Sequence, residues 1–498
     1  MDGKKKKFIV GFIIFILIFS IALVRKSFQN DTFYTIKIGE LILNNGIDML
    51  DHFSFHVNLP YTYPHWFYDI FIYVIYYLFG YTGIYISSIL LFITLILIIF
   101  KINRKLIDSV PVAAYSTFIA ALSISGFITA RAQTVTYIIF ALEVYFIEMF
   151  LKKGKKKYLF GLIFLSALIC NVHLAVWIFY FILFLPYFAE WIIAFIFNKI
   201  KKENKFTKFI KEKFEFEQNN RIKYLLIIFL LSFVTGFFTP LGTTPYTYLI
   251  KTMLGNSQNY IQEHQVLGWL NSPFTIIMAG ETIFLTFFSK AKMSDFFMIC
   301  GLVFMSIVSV RHMALLAVIG TICYNRVFYL FFLNFDINLD SIIINFFSKR
   351  IVVIVTFICV ITFSFFIGKY QLKKDFVDKE LYPTEAVKYM KENLDINKIR
   401  LFNEYNFGSY LLLNDIKVFI DSRADLYTKP FNELNYDIFD DYVSVPYNYQ
   451  YYFDFYNIDH ALIYKGNLLD THLRNDKKYS ILYEDDYFVL YKNKTLKA

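Results

Sequence analysis

Cysteine, proline, glycine and charge are all scarce in this 498-residue sequence: 4 Cys, 10 Pro, 19 Gly and 18% charged residues. Soluble domains usually carry about 25% charge, so a wholly soluble chain is excluded. Four cysteines, all inside apolar runs (Cys170, Cys300, Cys323, Cys359), spell out neither a disulfide framework nor a zinc cluster. The glycine and proline content rules out collagen-like and low-complexity chains. No GxGxxG, P-loop, nucleophile elbow or HExxH motif occurs, so the common nucleotide and protease chemistries have no local signature. What is present is apolar: 57% hydrophobic and 21% aromatic residues, with 60 Phe and 39 Tyr against 4 Trp. The formal charge of +10 is not gathered on one soluble face, so no nucleic-acid partner is expected.

Crossing about 30 Å of hydrocarbon as helix takes roughly 17–25 mostly apolar residues. About eleven such segments are expected, near 8–24, 84–100, 110–130, 133–151, 158–172, 174–197, 222–239, 274–289, 295–310, 313–333 and 351–368. The run 66–79 (WFYDIFIYVIYYLF) is short, carries Asp69 and is closed by Gly80 and Gly83, and reads as an interfacial or re-entrant helix. Basic residues support that count, because Lys and Arg concentrate in cytoplasmic loops. With the N-terminus inside and 66–79 not crossing, 26 basic residues fall in inner segments and 6 in outer ones. The first apolar run lacks a small-residue cleavage site and is read as an uncleaved helix.

The expected division is therefore a transmembrane part, 1–368, with a long first outer loop at 25–83, and an extracytoplasmic tail, 369–498. The tail holds 18 Lys plus Arg and 21 Asp plus Glu, a balance suited to a soluble domain. A helix opened by Pro383 and Thr384, a strand IRLFN, a helix around GSYLLL, a strand KVFID, and later DHALIY, YSILYE and YFVLYK indicate a small α/β fold.

This topology places all eight histidines on the outer side. The first outer loop carries Asp31, Asp51 and His65, and loops of this length are usually functional. Arg131, the pair Glu263 and His264, and the pair Arg311 and His312 also fall on that face. Arginines at span ends suit a phosphate or pyrophosphate head group, because guanidinium is a planar fork of donors that stays charged. The plain alternative is snorkelling to lipid head groups. An aspartate just beyond the first span suits general-base work on a hydroxyl. In FIDSRADLY, Asp421, Arg423 and Asp425 mark either a site at a strand end or a turn tied by an Asp–Arg pair. Glu143 and Glu281, at membrane depth, keep a transport role open.

A basic tip, a first span, then a long outer loop with an acidic residue close behind the span: this layout, in NDTFYTIKIGELILNNGIDMLDHFSF and YPHWFYDIFIYVIYYLFGYTG, resembles the GT-C superfamily of integral-membrane glycosyltransferases. ITARAQTVTYIIFALEVYFIE, NVHLAVWIFY, FTPLGTTPYTYL, SVRHMALLAV and the tail run RLFNEYNFGSYLLLNDIKVFIDSRADLY resemble a bacterial glycosyltransferase-like branch. The resemblance implies a polytopic helical fold, a sugar donor on polyprenyl phosphate and an acceptor reached from the outer face; the richness in Phe, Ile, Lys, Asn and Tyr suggests a bacterial plasma membrane as the location. The resemblance also implies a catalytic acidic residue, best matched by Asp31 with Asp51 second, and lipid-phosphate contacts by Arg131 and Arg311; His312, His65, Glu263 and His264 on the same face are further substrate-binding candidates. Where the mannosyltransferase and aminoarabinose-transferase patterns have His-Pro-Pro, this chain has Tyr63, Pro64, His65 and Trp66, so sugar and acceptor do not carry over. No cofactor is expected for a monophosphate leaving group, and a divalent metal only for a pyrophosphate donor. The competing readings are a transporter or lipid-carrier flippase, and a non-catalytic envelope assembly protein.

Overall fold

The computed structural model describes residues 3–200, 204–255 and 273–495. Among them, seven helices are long and apolar enough to cross a membrane: Gly3–Leu23, Trp66–Leu106, Val110–Phe127, Gln133–Lys153, Leu174–Lys199, Val310–Asn334 and Arg350–Leu372. Four shorter apolar helices, Lys157–Val172, Ile222–Phe237, Pro273–Ser289 and Met293–Val308, accompany them. The chain is a multi-pass helical membrane protein. Every expected apolar segment lies on one of these helices, but four are shorter than the roughly 20 residues a perpendicular crossing needs. The number of crossings is therefore not set by helix length alone.

Local chemistry explains several boundaries. The Ser109 hydroxyl accepts from Val112 N at 3.3 Å, with Pro111 in the first turn, so the helix starting at Val110 is capped in the usual way. Gly154, left-handed at φ 68°, closes Gln133–Lys153 by donating to Phe150 O. The long helix from Trp66 is broken at Gly80, whose φ of 62° and ψ of −157° only glycine adopts readily. That break is where 66–79 was expected to end.

The described residues form two compact units. The membrane unit contains residues 3–25, 86–238 and 273–373. Its most enclosed element is the helix Met313–Asn334, buried continuously from Met313 to Val327. The second unit contains residues 26–85, 239–255 and 374–495, so the first loop and the tail share one core. Phe33, from the helix Asn30–Asn45, packs edge-on against Tyr382 and Tyr410 of the tail. Gly39 lets the same helix meet the backbone at Asp69, where an added Cβ would lie 2.2 Å from the carbonyl oxygen.

The tail's four-stranded sheet has β1 (Leu401–Asn403), β2 (His460–Tyr464), β3 (Tyr479–Glu484) and β4 (Phe488–Asn493) in the order β1-β2-β4-β3. β1 and β2 are parallel, and the other pairs are antiparallel. KVFID joins no ladder, a correction to the strand expected there. It makes only an isolated bridge, Val418 with Ser54 of the first loop. The Asn403 side chain takes the place of a strand partner, donating to Ile420 O at 2.7 Å and accepting from Phe419 N at 2.8 Å.

Candidate functional site

Asp31 lies half-buried in the first turn of Asn30–Asn45, where the helix dipole favours a carboxylate. Neighbouring residues tie this turn to the tail. Phe28 N donates to Phe376 O at 2.9 Å, Asn30 Nδ2 to Tyr405 O at 2.8 Å, and the Tyr382 hydroxyl to Phe28 O at 3.2 Å. Burial, and after it the nearby Asp31 charge, raises the Tyr382 phenol above its ordinary range. Three residues on, and so on the same helix face, the Tyr34 hydroxyl stands 3.5 Å from His65 Nδ1. Asp31 and His65 thus belong to one unit, and Tyr34, a residue of the Asp31 helix that sequence reasoning did not single out, reaches His65.

Asp51 has a different setting. Its side chain is fully buried and accepts from Arg423 Nη1 at 2.7 Å, Ser54 Oγ at 2.5 Å and Ser54 N at 3.0 Å. Arg423 completes a fork on Asp421, with Nε and Nη2 donating at 2.9 and 2.7 Å, and the Tyr427 hydroxyl adds a bond to Asp421 at 2.6 Å. The guanidinium also lies over the Tyr61 ring, 4.9 Å from its centroid. Burial by itself would raise the Asp51 carboxyl, but the Arg423 charge and the Ser54 bonds overcome it and hold the group below the usual carboxylate range. The run FIDSRADLY therefore does contain an Asp–Arg tie. Its second carboxylate, Asp51, comes from 372 residues away.

His56 is enclosed beside this cluster and donates from Nε2 to Phe419 O at 2.8 Å. Burial pushes its imidazole down to about 4, so it stays neutral at physiological pH. The short segment around residues 239–255 also belongs to this unit, where the Tyr248 hydroxyl bonds the Asp425 carboxylate.

Arg131, Arg311 and His312 lie in the membrane unit. Arg131 precedes the helix Gln133–Lys153, and Thr136 on that helix bonds His173 Nδ1 at 2.8 Å. Arg311 and His312 form a short 3-10 turn, and His312 Nδ1 reaches Met305 O at 3.0 Å. Glu263 and His264 lie outside the described residues. Among the described residues, no group of three or more His, Cys, Asp or Glu is arranged to hold a metal.

No protein-family model matches the chain, and no curated protein matches it in sequence. Solved structures do match in fold. The archaeal oligosaccharyltransferase AglB from Archaeoglobus fulgidus, in complex with an inhibitory peptide and a dolichol-phosphate, superposes with a TM-score of 0.61 at 11% identity, covering 93% of this chain and 70% of that one. ArnT from Cupriavidus metallidurans bound to undecaprenyl phosphate gives a TM-score of 0.56 at 10% identity, over 97% of this chain and 98% of that one. The fold is GT-C-like. The GT-C-like fold extends over nearly the whole chain, tail included, as the coverage of ArnT requires. At such identity the likeness is one of architecture, and residue roles must come from this chain's own geometry.

Proposed function

We propose that this GT-C-like protein is a membrane glycosyltransferase. It moves a sugar from a polyprenyl-phosphate-linked donor to an extracytoplasmic acceptor of the cell envelope (a glycan, lipid or protein) at the plasma membrane. The observation that carries this reading is the fold shared over nearly the full chain with AglB and ArnT structures that hold dolichol-phosphate and undecaprenyl phosphate. Asp31 is the general base of this proposal. It is half-buried at a helix start, while the other acidic candidate, Asp51, is fully committed to Arg423. Asp31 takes the proton of an acceptor hydroxyl as the oxygen attacks the anomeric carbon. The bond to the lipid phosphate breaks with inversion, and Arg131 and Arg311 stabilise the departing phosphate. His65, His312, Glu263 and His264 are the further substrate-binding candidates of this proposal. A monophosphate leaving group calls for no metal; a pyrophosphate donor would bring a divalent ion.

The test is incubation of the purified chain and of Asp31→Asn with polyprenyl-phosphate sugars, measuring free polyprenyl phosphate. Removing a general base costs about 10²–10⁴ in rate, and a loss of that size with unchanged folding is the expected result. Release independent of Asp31 overturns the assignment of the base, and no release from any donor overturns the donor class. A transport role draws on Glu143, whose two carboxyl oxygens are buried without a hydrogen-bond partner. Glu281, by contrast, accepts from the Tyr324 hydroxyl at 3.1 Å.

A further inference from the structure

A cavity of about 330 Å³ opens inside the membrane unit, at the helix ends that carry the basic clusters. Arg326 lies 13 residues, about 20 Å, along the helix that begins at Met313 just after the His312 turn. The deep wall of the cavity is a fixed charge network: Arg326 Nη1 lies 2.6 Å from Glu148, Arg326 also bonds Asp295, and the Tyr187 hydroxyl donates to Glu148 at 3.0 Å. A second wall is held by Glu190, which accepts from Ser294 N at 3.0 Å and Glu217 N at 3.3 Å.

Two donors in this lining are buried and unmatched: Arg326 Nε and Trp191 Nε1 have no hydrogen-bond partner. Arg326 is only 8% exposed, so leaving such a donor unmet is costly. At the rim, Lys152 and Glu217 form no ion pair among the described residues, and Lys292 reaches only Glu148, at 3.8 Å. The lining thus offers buried N–H groups with ammonium groups for an anionic oxygen, and a separate carboxylate for a cation. A cation alone would leave the buried donors unmatched, while Glu217, exposed at the rim, offers a cation a partner beside them.

The surroundings are apolar and outward-facing. Ile192 and Ile196, on the helix that carries Trp191, are each 50% exposed, and Leu226 and Ile227, one turn past Ile222 of the lining, are 50% and 52% exposed. Such surfaces face acyl chains in a membrane protein, and tryptophan favours the head-group level. We infer that this cavity binds the head group of a zwitterionic, primary-amine phospholipid, of the phosphatidylethanolamine type, in the leaflet on the basic face. The phosphodiester accepts from Arg326 and Trp191 and pairs with Lys152 and Lys292; the ammonium group pairs with Glu217.

The test uses the full chain, purified in detergent and delipidated, titrated with short-chain phosphatidylethanolamine, phosphatidylcholine and phosphatidylglycerol and with soluble phosphoethanolamine. Native mass spectrometry counts bound molecules, and the thermal midpoint reports stabilisation. One phosphatidylethanolamine per chain, bound at least about tenfold more tightly than the other two lipids, is expected. The double variant Lys152→Met and Glu217→Gln, both at exposed positions, should remove that preference without moving the midpoint of the lipid-free protein. Trp191→Phe, which deletes one buried donor and keeps the ring, should weaken binding by a smaller factor. Equal binding of the three lipids, or a preference that survives the double variant, overturns the proposal. Phosphatidylglycerol binding as well as phosphatidylethanolamine with no effect of Glu217→Gln would mean an anion site and overturns it too. Soluble phosphoethanolamine matching the lipid would move the ligand from membrane to solution and overturn the lipid assignment.

Discussion

Two buried arginines, each set between two carboxylates, sit in different units of this molecule. Arg423 meets Asp421 and Asp51 with all three guanidinium nitrogens engaged, and tyrosine and serine hydroxyls fill the remaining acceptor positions. Arg326 meets Glu148 and Asp295 but keeps its Nε unmatched and lines a cavity. The first arrangement is closed and ties distant parts of the chain together. The second leaves capacity over, and unused hydrogen-bonding capacity at a cavity wall is what a ligand site needs. A buried ion pair does not by itself reveal its role; whether its hydrogen bonding is complete does.

The sharpest way to break this comparison is to remove the closed centre. Arg423→Met strands Asp51 and Asp421 in a buried setting and should destabilise the second unit by about 3–5 kcal/mol, seen as a lowered unfolding midpoint of the detergent-solubilised chain. A shift below about 1 kcal/mol would mean that the tie between loop and tail is ornamental.

Acid should act on the same centre through His56. Its folded value of about 4 lies below the ordinary 6.5, so the unfolded chain takes up a proton first as pH falls. The associated stability is present in full above about 6.5 and is lost progressively down to about 4, by about 3 kcal/mol. Asp51, also depressed, contributes stability that is lost only lower, as pH falls through its folded value. Midpoints measured across this range should slope for the native chain and flatten between pH 6.5 and 4 in His56→Gln.

The open centre should respond least. Lys292→Met at the cavity rim removes a half-exposed partner of Glu148 and should cost no more than about 1 kcal/mol in the lipid-free chain. A loss as large as that of Arg423→Met would make Lys292 part of a structural clamp rather than of a ligand site.

Much of the architecture was legible in the order of residues. Apolar segments of spanning length lie on helices because burying backbone groups in hydrocarbon leaves the helix as the cheapest solution for a single segment. The break at Gly80 and the four strands of the tail follow from equally local preferences. Asp31 could be singled out because it stands directly behind the first span. KVFID misled because its alternation is strand-like, while its hydrogen-bonding partners are the Asn403 side chain and Phe53, Phe55 and His56 of the first loop. The Tyr34 contact with His65 needs a helix packed against the following turn, which spacing alone does not reveal.

By itself, the sequence determined the membrane character, the helical segments, the acidic first loop and the α/β tail, since hydrophobicity and backbone preference act over a few residues. Only the tertiary structure decided that the first loop belongs with the tail, that Asp51 is locked by Arg423, and that Arg326 lines a cavity. Those outcomes depend on which charges meet across hundreds of residues. Desolvation makes such meetings strongly selective in a folded chain, yet leaves no periodic trace in its sequence.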